Sequence, residues 1–118
     1  MFKYAATRRV LWPVTINSPT ADGSGDVESS EVKILFELMT RSEAKEVEGD
    51  MDKAQHVLPN KIKGWEGVYS DDDEPIPFTD ETLAALLDLP YVERAFAIGL
   101  IQASNGAPAK NSKAGSGG

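Results

Sequence analysis

Two segments early in the chain alternate apolar and polar side chains with a period of two, and nothing else limits the fold so strongly. In Val10 to Asn17, residues Val10, Trp12, Val14 and Ile16 share one face, and Leu11, Pro13, Thr15 and Asn17 share the other. In Val32 to Met39, Val32, Ile34, Phe36 and Leu38 lie opposite Lys33, Leu35 and Glu37. A helical reading competes over Lys33 to Arg41, which contains no breaker. Pro13 has no amide hydrogen for a ladder, so its strand is expected at a sheet edge or at an irregularity. The connection Ser18 to Ser30, SPTADGSGDVESS, reads as a flexible loop. An antiparallel pair of this kind is marginal alone and must cover its apolar face with helices.

Helix signals follow. Thr40-Arg-Ser-Glu43 has capping-box spacing, and Gly49 keeps that helix short. Asp50 caps a second helix with Met51, Ala54, Val57 and Leu58 along one side, and Pro59 is expected to end it or to start another turn. Lys61 to Tyr69, with two glycines about Trp65 and Glu66, reads as a tight turn that sends the indole inward. Ser70 to Glu74 is a charged hairpin-like loop, and Pro75 to Phe78 is extended with Ile76 and Phe78 as anchors. Thr79 caps a helix carrying Leu83, Leu86 and Leu87, with Asp80 and Glu81 in its first turn. Asp88 is expected to cap the last helix, with Pro90 in its first turn.

In that last helix Val92, Ala95, Phe96, Gly99, Leu100 and Ala103 form one stripe. Ile98 and Ile101 lie nearly opposite, beside Arg94 and Ala97. Such a helix is either wrapped by the rest of the domain or meets another chain. The expected class is therefore α+β, an N-terminal antiparallel strand pair packed against a C-terminal set of short helices. One domain is expected over 1–104, with a disordered tail over 105–118.

The composition excludes several functions. With 118 residues and 41% hydrophobic content, the chain closes one modest core. Its net charge of −7 and scattered basic residues oppose binding to nucleic acid. No apolar run is long enough to span a bilayer, and Arg8 and Arg9 stand where a signal peptide needs its apolar region. Without cysteine there is no disulfide or thiolate site, and His56 is the only histidine. The run Asp71 to Glu74 fails the EF-hand pattern, because Ile76 and Thr82 occupy the positions that require Gly and Glu. No nucleophile elbow, carboxylate pair or phosphate-binding loop is present. The chain is expected to be no enzyme and to hold no cofactor or metal.

What remains is a binding surface. Trp65, Tyr69, Ile76, Phe78 and Tyr91 either fill the core or line a hydrophobic groove, for which Leu35, Ile98 and Ile101 are further candidates. All of these but Leu35 sit within GWEGVYSDDDEPIPFTDETLAALLDLPYVERAFAIGLIQA, which resembles the core signature of the tail assembly chaperones of long-tailed bacteriophages and prophages. The shared features are a Gly-Trp-x-Gly-Val segment at Gly64 to Val68, an acidic turn at Asp71 to Glu74 and a Pro-x-Pro-Phe step at Pro75 to Phe78. A leucine-rich helix at Leu83 to Asp88 and a Pro-led final helix from Pro90 complete the match.

Upstream, Glu31 to Glu48 is similar more loosely, and the loop between the strands and Pro59 depart from the pattern. The resemblance implies a non-catalytic α+β protein that binds the phage tape measure protein and keeps it soluble while the tail tube assembles. The tail tube protein is then a further partner, the site of action is the host cytoplasm, and the mature virion lacks the protein. Self-association is also expected, from the second apolar face of the last helix. The family's frameshifted longer forms would diverge near Ala109 to Lys113. The alternative is a tail completion, connector or other structural adaptor protein.

Overall fold

The computed structural model describes residues 1–106, so Ala109 to Lys113 and most of the expected tail lie outside the described residues. In chain order the elements are β1 (Arg9–Pro19), β2 (Val27–Glu37), α1 (Arg41–Val47), α2 (Met51–Lys61), β3 (Ile62–Glu66), α3 (Asp80–Leu87) and α4 (Pro90–Asn105). The strands form one antiparallel sheet in the order β1-β2-β3. The fold is α+β, and the expected strand pair has gained a third member.

β1 and β2 pair without interruption from Arg9 opposite Glu37 to Pro19 opposite Val27. The stretch read as a flexible loop is therefore mostly ladder, and only residues 20–26 connect the strands. That connection is tied internally. The Thr20 amide donates to the Asp26 carbonyl (3.0 Å), and the Asp22 carboxylate accepts from the Ser24 amide and the Thr20 hydroxyl, each at 2.9 Å. Hydrogen bonds from Ser24, then Thr20, lower the Asp22 pKa to about 2.

The ladder also explains Pro13. Leu38 donates to the Arg8 carbonyl and Thr20 to the Asp26 carbonyl, so even-numbered main-chain groups of β1 face β2. Pro13, an odd position on an edge strand, turns its missing donor toward the open side and costs the ladder nothing.

Val14, Ile16, Val32, Ile34 and Phe36 are buried on the inner face, as their alternation requires. α4 lies across that face and is wrapped by the sheet, α2 and α3. Ala97, expected beside Ile98 and Ile101 on the face opposite the main stripe, is fully buried because α4 is covered on several sides. Gly99 permits the approach of helix to sheet. A Cβ there would stand 2.7 Å from Val14 Cγ2 and 3.3 Å from the Phe36 ring.

The helix ends follow side-chain chemistry with two corrections. Thr40 and Glu43 form the capping box of α1, Asp50 caps α2, and Thr79 with Thr82 caps α3. α2 continues through Pro59 to Lys61, because a proline in the last turn forfeits one donor and the helix survives it. Asp88 does not cap α4. Its amide closes α3, and Leu89 is the N-cap of α4 with no side-chain hydrogen bond. Pro90 at the first position of α4 removes one amide that would need a partner. α4 extends one residue past the expected boundary, to Asn105, and Gly106 closes it at φ 67°.

Lys61 and Ile62 join α2 to β3 directly. The Lys61 ammonium is nearly buried and meets Glu43 at 3.0 Å and Glu37 at 3.6 Å, with Arg9 joining Glu37 at 3.8 Å. Glu43 has a lowered pKa, first because its carboxylate accepts the Thr40 amide and then because Lys61 bonds to it. A carboxylate depressed in the folded state adds stability above its unfolded pKa and loses it as pH falls through the folded value. Glu43→Gln should therefore flatten the acid limb of stability, read as the urea midpoint at neutral and acid pH. An unchanged acid slope would show that this cluster contributes nothing to acid sensitivity.

Candidate functional site

β3 was read as a turn, and it is a strand that places Trp65 opposite Ile34 on the inner face. The indole Nε1 donates to the Ile76 carbonyl at 2.8 Å, and its ring meets Phe78 edge-on with centroids 4.9 Å apart. The Ile76 amide returns to the Val68 carbonyl (2.9 Å), Tyr69 bridges to Pro75, and the Thr82 hydroxyl donates to the Pro77 carbonyl (2.7 Å). Asp73 at φ 61° turns the acidic tip, closed by the Ser70 amide on the Glu74 carbonyl. Trp65, Ile76 and Phe78 are thus half-buried and locked to one another. Tyr69 stands out from this hairpin at 59% exposure. Trp12, on β1, differs from Trp65: its Nε1 is buried with no hydrogen-bond partner.

α4 carries the second group. Tyr91, Ala95 and Ile98 recur at helical spacing along its outer side, with Ile98 37% exposed. With Arg94 and with Thr15 and Asn17 at the edge of β1 they line a shallow groove of about 160 Å³. Leu89, 42% exposed, stands at the start of the same helix.

Ile101 faces elsewhere. It is half-buried and joins Met39, Ala44 and Val47 around a concavity of about 340 Å³ between α1 and the end of α4. Leu35 is on the outer face of the sheet, half-buried, paired with the exposed Leu11 on one side and Gly64 on the other. The eight candidates therefore occupy four separate places: the aromatic hairpin, the outer side of α4, the α1–α4 concavity and the outer sheet face.

Leu11 and Leu89 are absent from the sequence-based candidates. Leu11 carries a visible signal, an apolar side chain on the polar face of an alternating strand, and Leu89 carries none. Ala95, expected in the core stripe of α4 with Val92 and Phe96, is only half-buried and shares the groove with Ile98.

His56 is exposed on α2, beside Asp52, Lys53 and Glu46 of a shallow depression. Among the described residues no three His, Cys, Asp or Glu side chains are gathered to hold a metal ion. No helix among them is long and apolar enough to cross a membrane. Comparison with protein-family models, curated proteins and solved structures found no match to this chain.

Proposed function

We propose that this chain is a non-catalytic chaperone that binds the tape measure protein of a long-tailed phage and keeps it soluble during tail tube assembly. It acts in the host cytoplasm and leaves before the virion is complete. The observation that carries this reading is Ile98, exposed on α4 after the core has closed, in line with the half-buried Tyr91 and Ala95 along a shallow groove beside β1. A stripe at helical spacing beside a groove suits an amphipathic helix laid along it, and a tape measure protein is a long, largely helical chain. The motif resemblance over Gly64 to Ala103 supports the same partner. The excess of acidic residues keeps the free protein soluble while its apolar stripe waits for that partner.

Co-expression with the tape measure protein encoded downstream tests the reading. The pair should co-purify, and Ile98→Asp should abolish the complex with an unchanged circular dichroism spectrum. Ile101→Asp is a poorer probe, because Ile101 packs against the core and its loss also unsettles the fold. A tape measure protein equally soluble without this chain, or a complex indifferent to Ile98→Asp, would remove the proposal.

A further inference from the structure

The β1–β2 hairpin is longer than the body beneath it. β3 covers β2 only from Lys33 to Phe36, so Val27 to Glu31 have no neighbouring strand on that side. Even-numbered main-chain groups of β2 face β1, which turns the amides and carbonyls of Val27, Ser29 and Glu31 outward. The overhang is exposed along its length and acidic, with Glu28 and Glu31 on it and Asp26 at its start. An open edge is a pairing template unless something blocks it. Pro13 interrupts the open edge of β1, and the β2 overhang has no proline.

The chain's other end has the complementary chemistry. Met1 to Thr7 lies outside the sheet, with Phe2 83% and Tyr4 81% exposed, and the Arg8 guanidinium, donating to the Lys3 carbonyl at 3.4 Å, ties the arm back. In an extended segment Phe2 and Tyr4 share one side and Lys3 takes the other. Lys3, Arg8 and Arg9 make this arm basic. An aromatic, basic strand thus matches an acidic edge whose apolar residue, Val27, is 60% exposed.

A single chain cannot bring the two together. Val27 pairs with Pro19, at the far end of β1 from Arg9. That separation is roughly 33 Å at strand rise. Eight extended residues span at most about 29 Å, with none left to run along the edge. We propose that Met1 to Tyr4 of one copy adds as a strand to Val27–Glu31 of a second copy. Phe2 and Tyr4 then lie beside Val27, Lys3 lies beside Glu28, and reciprocal exchange closes a dimer.

Sedimentation equilibrium of the full chain, at low and high salt, tests this independently of any tail partner. The chain should dimerise with concentration and more weakly in salt. Phe2→Ser with Tyr4→Ser, and separately Ser29→Pro, should each weaken the dimer by at least about tenfold. The arm variant changes exposed side chains only, and Ser29→Pro removes an outward-facing amide and the exposed hydroxyl bond to Asn17, so circular dichroism should change little and Ser29→Ala, which loses only that bond, should keep the dimer. Ile98→Asp should leave dimerisation intact. A chain that stays monomeric at millimolar concentration, or a dimer that either variant leaves at full strength, overturns the proposal.

Discussion

Phe36→Ala should lower unfolding stability by about 3–5 kcal/mol, the usual effect of emptying a fully enclosed aromatic site. Phe36 is completely buried on the central strand, paired with Val10 and Ile62 and lying under α4. Collapse around the void is restricted, because strands flank it and a helix lies above it. Native domains have only about 5–15 kcal/mol in total, so the variant should be near the limit of folding. Urea denaturation should show a lower midpoint with an unaltered slope. A loss below about 1 kcal/mol would mean that the ring is not where the sheet and helix converge.

Gly99→Ala has the second large effect, and two opposing influences decide its sign. Alanine favours a helix interior over glycine by about 1 kcal/mol. Against this, the added methyl would stand 2.7 Å from Val14 Cγ2, a distance that forces movement. Val14 is β-branched and stiff about χ1, and the Phe36 ring at 3.3 Å blocks the neighbouring direction. Overpacking of this kind typically costs about 1–3 kcal/mol, so the net change should be destabilising. The check is a double-mutant cycle with Val14→Ala, which removes the obstructing methyl. The two substitutions should be less harmful together than the sum of each alone, with a coupling of about 0.5–3 kcal/mol. Strict additivity would show that helix and sheet do not touch there.

The inner faces of β1 and β2 and the caps at Thr40, Asp50 and Thr79 were legible because each rests on local spacing. The outer halves of the same strands were not. Ser18, Pro19 and Val27 to Glu31 extend past the core, so main-chain pairing holds them and no apolar alternation marks them. β3 was hidden for a different reason. Its register slips between Leu35 and Phe36, which puts Gly64 opposite Leu35 and Ile62 opposite Phe36 and leaves Lys63 without a partner. Ile62 and Trp65 therefore share the inner face although they are three residues apart, and a period of two cannot find them.

The candidate surface was legible in composition and illegible in grouping. Of the expected group Trp65, Tyr69, Ile76, Phe78 and Tyr91, the residues Trp65, Ile76 and Phe78 meet, whereas Tyr69 stands out of the hairpin and Tyr91 lies in the groove beside β1. Ile98 and Ile101 are three apart on one helix, yet one lines the groove along β1 and the other the concavity beside α1. Which neighbour covers each side of α4 depends on where α1 and β1 dock, and that is tertiary information.

The junction at Lys61 and Ile62 has a mechanical meaning. Helix and strand meet with no spacer, so axial rotation of α2 is passed straight into the third strand. Lys63 is the unpaired residue of the slip, one step inside that strand. A load applied to α2 would thus be felt first at the sheet's shortest row of pairs, and the long hairpin beyond it would stay in register.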